Sequence, residues 1–242
     1  MKILALDSSG LVASVAVLEN DDCIAEYTIN YKKTHSQTLL PMLDEVSKMI
    51  ELDLSSIDAI AVAAGPGSFT GLRIGSATAK GLGQALNKPL VGIPTVDGLA
   101  YNMYATDKLI CPLMDARRNQ TYTGLYEFVR TEEKYHLNIV KEQCAVALDE
   151  IIDCINKIQR EVIFLGDGVP VFKEQLEEKV KVPYSYAPAS CNRQRAAAVG
   201  ALAYDYIAKG KMEDAAEHAP EYLRLSQAER ERKEGKECGN DH

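Results

Sequence analysis

The stretch from residue 57 to residue 87 constrains the fold of this chain more than any other. It begins as an unbroken apolar run, AIAVAA at 59–64, which is typical of a strand buried on both faces. A Gly-Pro-Gly turn follows, and helical spacing resumes from about Gly71, with Ser68 or Thr70 available to cap the helix. A strand, a glycine loop and a helix N-terminus can together approach an anion, but the glycines can equally serve only a tight turn. The loop matches neither the dinucleotide-binding G-x-G-x-x-G pattern nor a Walker loop.

The predicted helix at 71–87 carries a small residue at every fourth position. The members of this stripe are Gly71, Gly75, Ala79 and Gly83. Each glycine inside a helix costs up to about 1 kcal/mol relative to alanine, so the stripe needs a compensating reason. Close approach of another backbone supplies one. That backbone can belong to this chain's own core or to a partner helix, and under the second interpretation Gly75→Leu would keep the fold and block pairing.

Composition excludes several classes of protein. The 242 residues suffice for one large domain or two lobes, and a net charge of −8 with a pI near 5.1 argues against a chain that binds nucleic acid by itself. No apolar run approaches the roughly 20 residues of a membrane span, and the N-terminus enters a strand with no room for a signal peptide. Six cysteines without a C-x-x-C pair and four histidines without H-x-x-x-H spacing predict a cytoplasmic protein with no membrane contact and no metal site.

The order of predicted elements indicates two related α/β lobes. Strands at 2–7, 13–18 and 23–29, a helix at 36–51, the strand at 59–64 and the helix at 71–87 form a β-β-β-α-β-α unit, followed by a strand at 90–93 and a helix at 95–104. A strand, an aspartate and a polar turn occur at Asp7 and again at Asp115. The second half adds strands at 109–114, 121–128 and 162–165 and helices at 148–158, 170–179 and 194–209. We therefore predict an N-terminal lobe at 1–104, a C-terminal lobe at 105–224 and a charged, disordered tail at 225–242.

Three aspartates occupy the places where a two-lobed ATPase would hold phosphates and Mg²⁺. Asp7 and Asp115 follow the first strand of each predicted lobe, and Asp167 lies in a Gly-Asp-Gly turn. Hydrated Mg²⁺ needs only one or two protein carboxylates. Aspartates that simply close turns after strands would explain the same pattern, and Cys111, in an apolar strand, is interpreted as a core residue.

Several segments together resemble one family. These are MKILALDSS at the N-terminus, HSQTLLPMLDEV in the first helix, AAGPGSFTGLRIG at the glycine loop and PEYLR near the end. The chain resembles the bacterial TsaB (YeaZ) family, relatives of TsaD in the actin, Hsp70 and sugar-kinase superfamily. The resemblance implies a two-lobed actin-like (ASKHA, ribonuclease H-like) α/β fold, each lobe a mixed sheet with flanking helices. It also implies a noncatalytic partner and activator of TsaD in forming N6-threonylcarbamoyladenosine next to the anticodon of tRNAs that read A-starting codons.

The resemblance further implies partners and site residues. TsaD would pair as a heterodimer with the two N-terminal-lobe helices, TsaE and tRNA would be reached through the complex, and a homodimer could form by the same surface when the chain is alone. The residues assigned to this interface are Leu39, Leu40, Met42, Leu43, Val46, Met49, Gly71, Leu72, Gly75, Ser76, Ala79 and Gly83. A weak or vestigial nucleotide site would involve Asp7, Ser8, Ser9, Asp115 and Asp167. ATP and Mg²⁺ are used by the complex, and no catalytic residue, metal ligand or cofactor is assigned to this chain.

Two other functions are alternatives to this one. The chain can be an ATP-dependent phosphotransferase or ATPase built on Asp7, Asp115 and Asp167. The second alternative is a glycopeptidase-like hydrolase, but the sequence contains neither a nucleophile paired with a base nor a metal-binding motif that would support this hypothesis.

Overall fold

The computed structural model describes residues 1–20, 22–31, 37–132 and 134–223. The start of the predicted first helix, at residue 36, and the tail at 225–242 lie outside these residues. The described chain forms two five-stranded sheets with flanking helices. The first half contains β1 (Lys2–Asp7), β2 (Val12–Glu19), β3 (Asp22–Asn30), α1 (Leu39–Met49), β4 (Ala59–Gly65), α2 (Phe69–Leu86), β5 (Leu90–Pro94) and α3 (Thr95–Tyr101). The second half contains β6 (Leu109–Asp115), β7 (Gln120–Arg130), β8 (Tyr135–Ala147), α4 (Leu148–Ile158), β9 (Val162–Leu165), α5 (Val169–Lys179), β10 (Tyr184–Tyr186) and α6 (Ala196–Ala208).

The two sheets repeat one topology. The strand orders are β3-β2-β1-β4-β5 and β10-β9-β6-β7-β8. In the first sheet β1 pairs antiparallel with β2 and parallel with β4, and in the second β6 pairs in the same way with β7 and β9. The predicted relationship between the halves is therefore confirmed, and the chain has the two-lobed actin-like fold.

Most elements lie within a few residues of their predicted positions, but β8 and β10 were not predicted. β8 is an edge strand in which apolar and charged residues mix without regular alternation, and bulges interrupt its register with β7. β10 has only three residues. Neither presents the continuous apolar run that identifies the central strands, because an edge strand is buried less completely.

The central strand of the first sheet is buried on both faces. Leu4 and Leu6 of β1 pack into the apolar cluster beneath α1 and α2. Ile3 and Ala5 face the opposite side, where they pack against α6. Residues at alternate positions of a strand point to opposite faces, so one apolar run supplies two cores.

The predicted lobe boundary requires a correction at the C-terminal end. α6 was assigned to the second lobe by sequence position, but it packs on β1, β2, β4 and β5 of the first sheet. The following segment, residues 211–223, stays with the first sheet: Leu90 and Glu213 exchange backbone hydrogen bonds, and the Glu221 N–H donates to the Ala64 carbonyl. The chain thus returns to the first lobe after completing the second. No local sequence pattern predicts this return.

A buried carboxylate joins elements of both lobes. Asp97 of α3 is 3% exposed and accepts hydrogen bonds from the Tyr126 hydroxyl of β7, at 2.8 Å, and the Tyr206 hydroxyl of α6, at 3.0 Å. Burial raises the pKa of Asp97, and the two tyrosine hydroxyls only partly offset that rise. Gly124 leaves room for the Tyr126 ring, since a Cβ there would lie 2.7 Å from the tyrosine hydroxyl. Asp97 thus links elements of the two sheets through one side chain.

Candidate functional site

A cleft opens between the lobes where β1 and β6 end. Its volume is about 330 Å³. Ser9, Asp115 and Asp167, three of the five residues predicted for nucleotide binding, line it. The residues completing the lining are Gly10, Leu11, Gly67, Ser68, Met114, Ala116, Arg117 and Tyr122. The fold therefore brings the turns of the two lobes together, as the repeated pattern predicts.

The side chains of Asp7 and Ser8 are used inside the first lobe. The Asp7 carboxylate is buried and accepts hydrogen bonds from the Ser9 N–H, at 2.9 Å, and the Ser9 hydroxyl, at 2.7 Å. The Ser8 hydroxyl donates to the Gly71 carbonyl at 2.9 Å. Neither residue lines the cleft, and Asp7 closes its own turn as an aspartate after a strand commonly does.

The glycine loop packs directly on this first turn. The Ser68 N–H donates to the Ser9 carbonyl at 2.6 Å, and the Ser68 side chain caps α2 by accepting from the Gly71 N–H at 3.3 Å. A Cβ on Gly67 would lie 2.2 Å from the Ser9 oxygen, and one on Gly71 would lie 2.0 Å from the Ser8 oxygen. The glycines therefore permit contact between two backbone segments of the same chain, and the predicted cap at Ser68 is confirmed.

The two carboxylates of the second lobe differ in their surroundings. Asp115 accepts a hydrogen bond from the Arg117 N–H at 2.8 Å and lies 3.3 Å from the Arg117 guanidinium. Asp167 Oδ1 is buried and has no hydrogen-bond partner among the described residues. Burial raises the pKa of Asp167, and the backbone N–H of Asp115 and the nearby Arg193 oppose this rise.

The five residues predicted to bind a nucleotide do not together form a site that suits Mg²⁺ and phosphates. Asp7 points into its own turn, and Arg117, the only cationic side chain among the described lining residues, already pairs with Asp115. Magnesium binds ionised carboxylates, whereas burial favours the neutral form of Asp167.

The outer helix pair of the first lobe gives a mixed outcome for the predicted interface. Ten of the twelve assigned residues are buried within this chain. They are Leu39, Met42, Leu43, Val46, Gly71, Leu72, Gly75, Ser76, Ala79 and Gly83. The other two, Leu40 and Met49 of α1, are 53% and 75% exposed. Within the described residues the neighbours of these ten belong to the same chain, and their assignment to a partner interface stays a prediction.

The small-residue stripe of α2 faces inward. A Cβ on Gly75 would lie 2.5 Å from the Ser8 hydroxyl, and one on Gly83 would lie 2.4 Å from a Leu90 methyl and 2.7 Å from the Ala215 Cβ. The backbone that approaches the stripe is therefore this chain's own, and a leucine at position 75 would disturb the fold before any pairing. A second row of small residues, Ala77, Gly81 and Ala85, faces outward. Sequence periodicity cannot choose between two interleaved rows.

The described residues were compared with the requirements of a metal site and of a membrane span. Across 1–20, 22–31, 37–132 and 134–223, no group of three or more His, Cys, Asp or Glu side chains could hold a metal ion. None of the helices in these ranges is both long and apolar enough to cross a membrane. Cys111 is fully buried, and burial raises its pKa to about 12, so it is a core residue as predicted.

Comparison with known proteins identifies the family. The family model described as TsaD, tRNA N6-adenosine threonylcarbamoyltransferase, matches residues 22–232. The TsaB protein of Bacillus subtilis, a tRNA threonylcarbamoyladenosine biosynthesis protein, is 34% identical over 95% of this chain and 96% of its own length. The corresponding protein of Haemophilus influenzae is 28% identical over 74% of this chain and 78% of its own length. YeaZ from Pseudomonas aeruginosa superposes with a TM-score of 0.74 at 26% identity, over 92% of this chain and all of that one. The chain therefore belongs to the TsaB family of tRNA threonylcarbamoyladenosine biosynthesis proteins.

Proposed function

We propose that this protein is a noncatalytic partner and activator of a TsaD-type threonylcarbamoyltransferase. It acts in the cytoplasm, in the formation of N6-threonylcarbamoyladenosine next to the anticodon of tRNAs that read A-starting codons. Its membership of the TsaB family supports the pathway. The observation that carries the partner role is the outer face of α1 and α2, which exposes Leu40, Met49 and a row of small residues.

This face has the properties that helix pairing requires. Exposed leucine and methionine side chains supply adaptable apolar contact area, and small residues allow a second helix to approach closely. Two helices from each protein would form a four-helix bundle. The same face could pair two copies of this chain when TsaD is absent, and TsaE and tRNA would join through the complex.

Reconstitution tests the activator role directly. Purified TsaD, TsaE, tRNA, ATP and threonylcarbamoyl-adenylate are combined with and without this protein, and modified adenosine is measured. We expect product only when the protein is present, and none from the protein alone. Equal product in its absence would overturn the proposal.

The alternative is an ATP-dependent phosphotransferase or ATPase, and one observation favours it. The cleft brings Asp115 and Asp167 together, and one buried oxygen of Asp167 lacks a partner among the described residues. Turnover of Mg²⁺-ATP by the purified protein, lost in Asp167→Asn and retained in Asp149→Asn on the exposed surface, would support this alternative.

A further inference from the structure

At its N-terminal end, the outer face of α2 carries one cation held in a fixed position. The Arg73 guanidinium carbon lies 4.0 Å from the centre of the Phe69 ring, one turn earlier in the helix. Its Nε donates a hydrogen bond to the Tyr222 hydroxyl at 3.3 Å. The Tyr222 ring is centred 4.8 Å from the Phe69 ring. An exposed arginine usually samples many rotamers, so this bracing lowers the entropy cost of fixing the side chain in a contact.

Tyr222 is itself anchored by the segment that returns to the first lobe. The backbone N–H of Glu221 donates to the Ala64 carbonyl at 2.7 Å, and the Gln143 amide of β8 donates to the Glu221 carboxylate at 3.2 Å. Gly65 admits this segment, because a Cβ there would lie 2.2 Å from the Glu221 carbonyl oxygen. The tyrosine that positions Arg73 therefore belongs to a segment fixed to both lobes.

The bracing uses only part of the guanidinium. Arg73 is exposed, and no carboxylate of the described residues lies within ion-pair distance of it. Its Nε is occupied by Tyr222, so the two terminal nitrogens remain for another acceptor. Arginine presents these nitrogens as a planar fork that matches a carboxylate or a phosphate.

The surroundings of Arg73 favour a carboxylate over an RNA phosphate. Lys80 is the other cationic residue of α2, and it is already bonded to the Ala216 and His218 carbonyls at 2.9 Å each. RNA binding depends on several cations acting together, and the chain carries a net charge of −8. Along the helix from Arg73, the outward positions are Ala77, Gly81 and Ala85, which suit contact with a protein helix.

We propose that Arg73, stacked on Phe69 and braced by Tyr222, is a preformed docking point for an aspartate or glutamate on the facing helix of a partner protein. This inference rests on the proposed function, because it takes the TsaD-type protein as the partner. A single oriented charge at the end of an otherwise small, uncharged face would set the register in which the two helices pair.

Binding of the purified TsaD-type partner, measured by calorimetry at low and moderate salt, tests the inference. Arg73→Glu should weaken binding by about 100-fold and Arg73→Ala by about tenfold. Arg73→Lys, which keeps the charge and loses the fork, should fall between wild type and alanine. Arg130→Glu, which changes the net charge equally at the far end of β7, is the matched control and should bind as wild type does.

Charge reversal on the partner identifies the acceptor. Replacing each carboxylate of the facing helix with lysine in turn should yield one variant that restores binding to Arg73→Glu. Thermal unfolding of the arginine variants should match wild type, which separates lost contact from lost structure.

The outcomes separate the two proposals. If wild type binds the partner and Arg73→Glu binds equally well, the docking point is wrong while the partner role stands. If Arg73→Glu keeps partner binding but lowers tRNA binding to the complex, the acceptor is a phosphate and the inference is overturned. If wild type does not bind the partner at all, the proposed function fails and this inference fails with it.

Discussion

The helix pairs of the two lobes occupy equivalent places in one repeated topology but have different outer faces. In the second lobe, α4 buries Leu148, Ile151 and Ile155 and exposes charged residues, and α5 exposes four charged residues between its buried positions. In the first lobe, α1 exposes Leu40 and Met49 beside three charged residues, and the exposed positions of α2 include three small residues and a single charge, Arg73. A helix face that meets only water usually carries several charged or polar residues, and the outer face of α2 carries few. The difference therefore favours the first lobe, and α2 in particular, as the proposed partner surface.

The two lobes resemble each other in how their outer helices begin. α2 lies against the first turn through glycines, with backbone atoms in contact near Ser8 and Ser9. Gly166 and Gly168, just before α5, meet the Leu113 backbone of β6 in the same way, and a Cβ on Gly166 would lie 2.1 Å from the Leu113 oxygen. The close backbone contact between a helix start and the end of a central strand is therefore common to both lobes, and the lobes differ in the outer faces of their helices.

The largest expected effect concerns the contact between α2 and the first turn. Gly71→Val should lower the free energy of unfolding by about 3 kcal/mol, because a Cβ at this position would lie 2.0 Å from a backbone oxygen that cannot move aside cheaply. Urea denaturation measures the loss. Unchanged stability would mean that α2 is not held by this backbone contact, and the likeness to the start of α5 would fail.

The next effect concerns binding and compares the two lobes directly. Leu40→Asp on α1 should weaken binding of the TsaD-type partner by about 100-fold, since it places a charge in an apolar contact. Its stability should change by no more than about 0.5 kcal/mol, because Leu40 is 53% exposed in the free protein. Val171→Asp on α5, at a residue 57% exposed, is the matched control and should leave binding unchanged. Equal losses from both variants would remove the asymmetry between the lobes.

The contact between the lobes should appear as a pH dependence of stability. Burial raises the pKa of Asp97 in the folded state, so the folded protein holds this proton more tightly than the unfolded chain does. Protonation of Asp97 therefore contributes fully to the free energy of unfolding below the unfolded pKa of about 4. This contribution is lost as the pH rises through the pKa of the folded state. Asp97→Asn removes this titration, and denaturation at several pH values should show a smaller fall in stability as pH rises. An identical pH profile would show that Asp97 ionises alike in both states.

The smallest effect comes from the outward row of α2. Gly81→Ala should raise the free energy of unfolding by up to about 1 kcal/mol, because a Cβ there meets nothing within 4 Å and alanine favours the helix. The opposite signs expected at positions 71 and 81 would show which face of α2 is packed. A loss of stability at position 81 would mean that this face is already covered in the free protein.

The local motifs predict where the aspartates of the proposed nucleotide site lie in the fold but not the direction of their side chains. The sequence places Asp7, Asp115 and Asp167 after strands, and the structure does bring the turns of the two lobes to one cleft. Whether each carboxylate faces that cleft depends on hydrogen bonds within its own turn. The Asp7 carboxylate accepts hydrogen bonds from Ser9, whereas one buried oxygen of Asp167 has no hydrogen-bond partner among the described residues. No spacing rule distinguishes these two cases.

Arg73 and Tyr222 illustrate a site that sequence reasoning could not assemble. Nothing in the pattern around Arg73 separates it from an arginine that simply faces water. Its bracing comes from a tyrosine 149 positions later in the chain. The only available signal was the PEYLR segment, which the family resemblance included without indicating where it packs.

The sequence by itself determined the α-helices, the strands other than β8 and β10, the repeated topology and the family. Apolar runs and helical spacing are local patterns that burial of one face or both faces imposes on the sequence, so they can be recognised without knowledge of the tertiary structure. Only the tertiary structure decided which row of small residues on α2 faces inward, where α6 packs and what holds Arg73. The two rows are equivalent in period, and the choice between them depends on Ser8, Leu90 and Ala215, which meet α2 only when the chain is folded. Helical periodicity does not distinguish the two faces, and only packing against distant segments of the chain determines which one is buried.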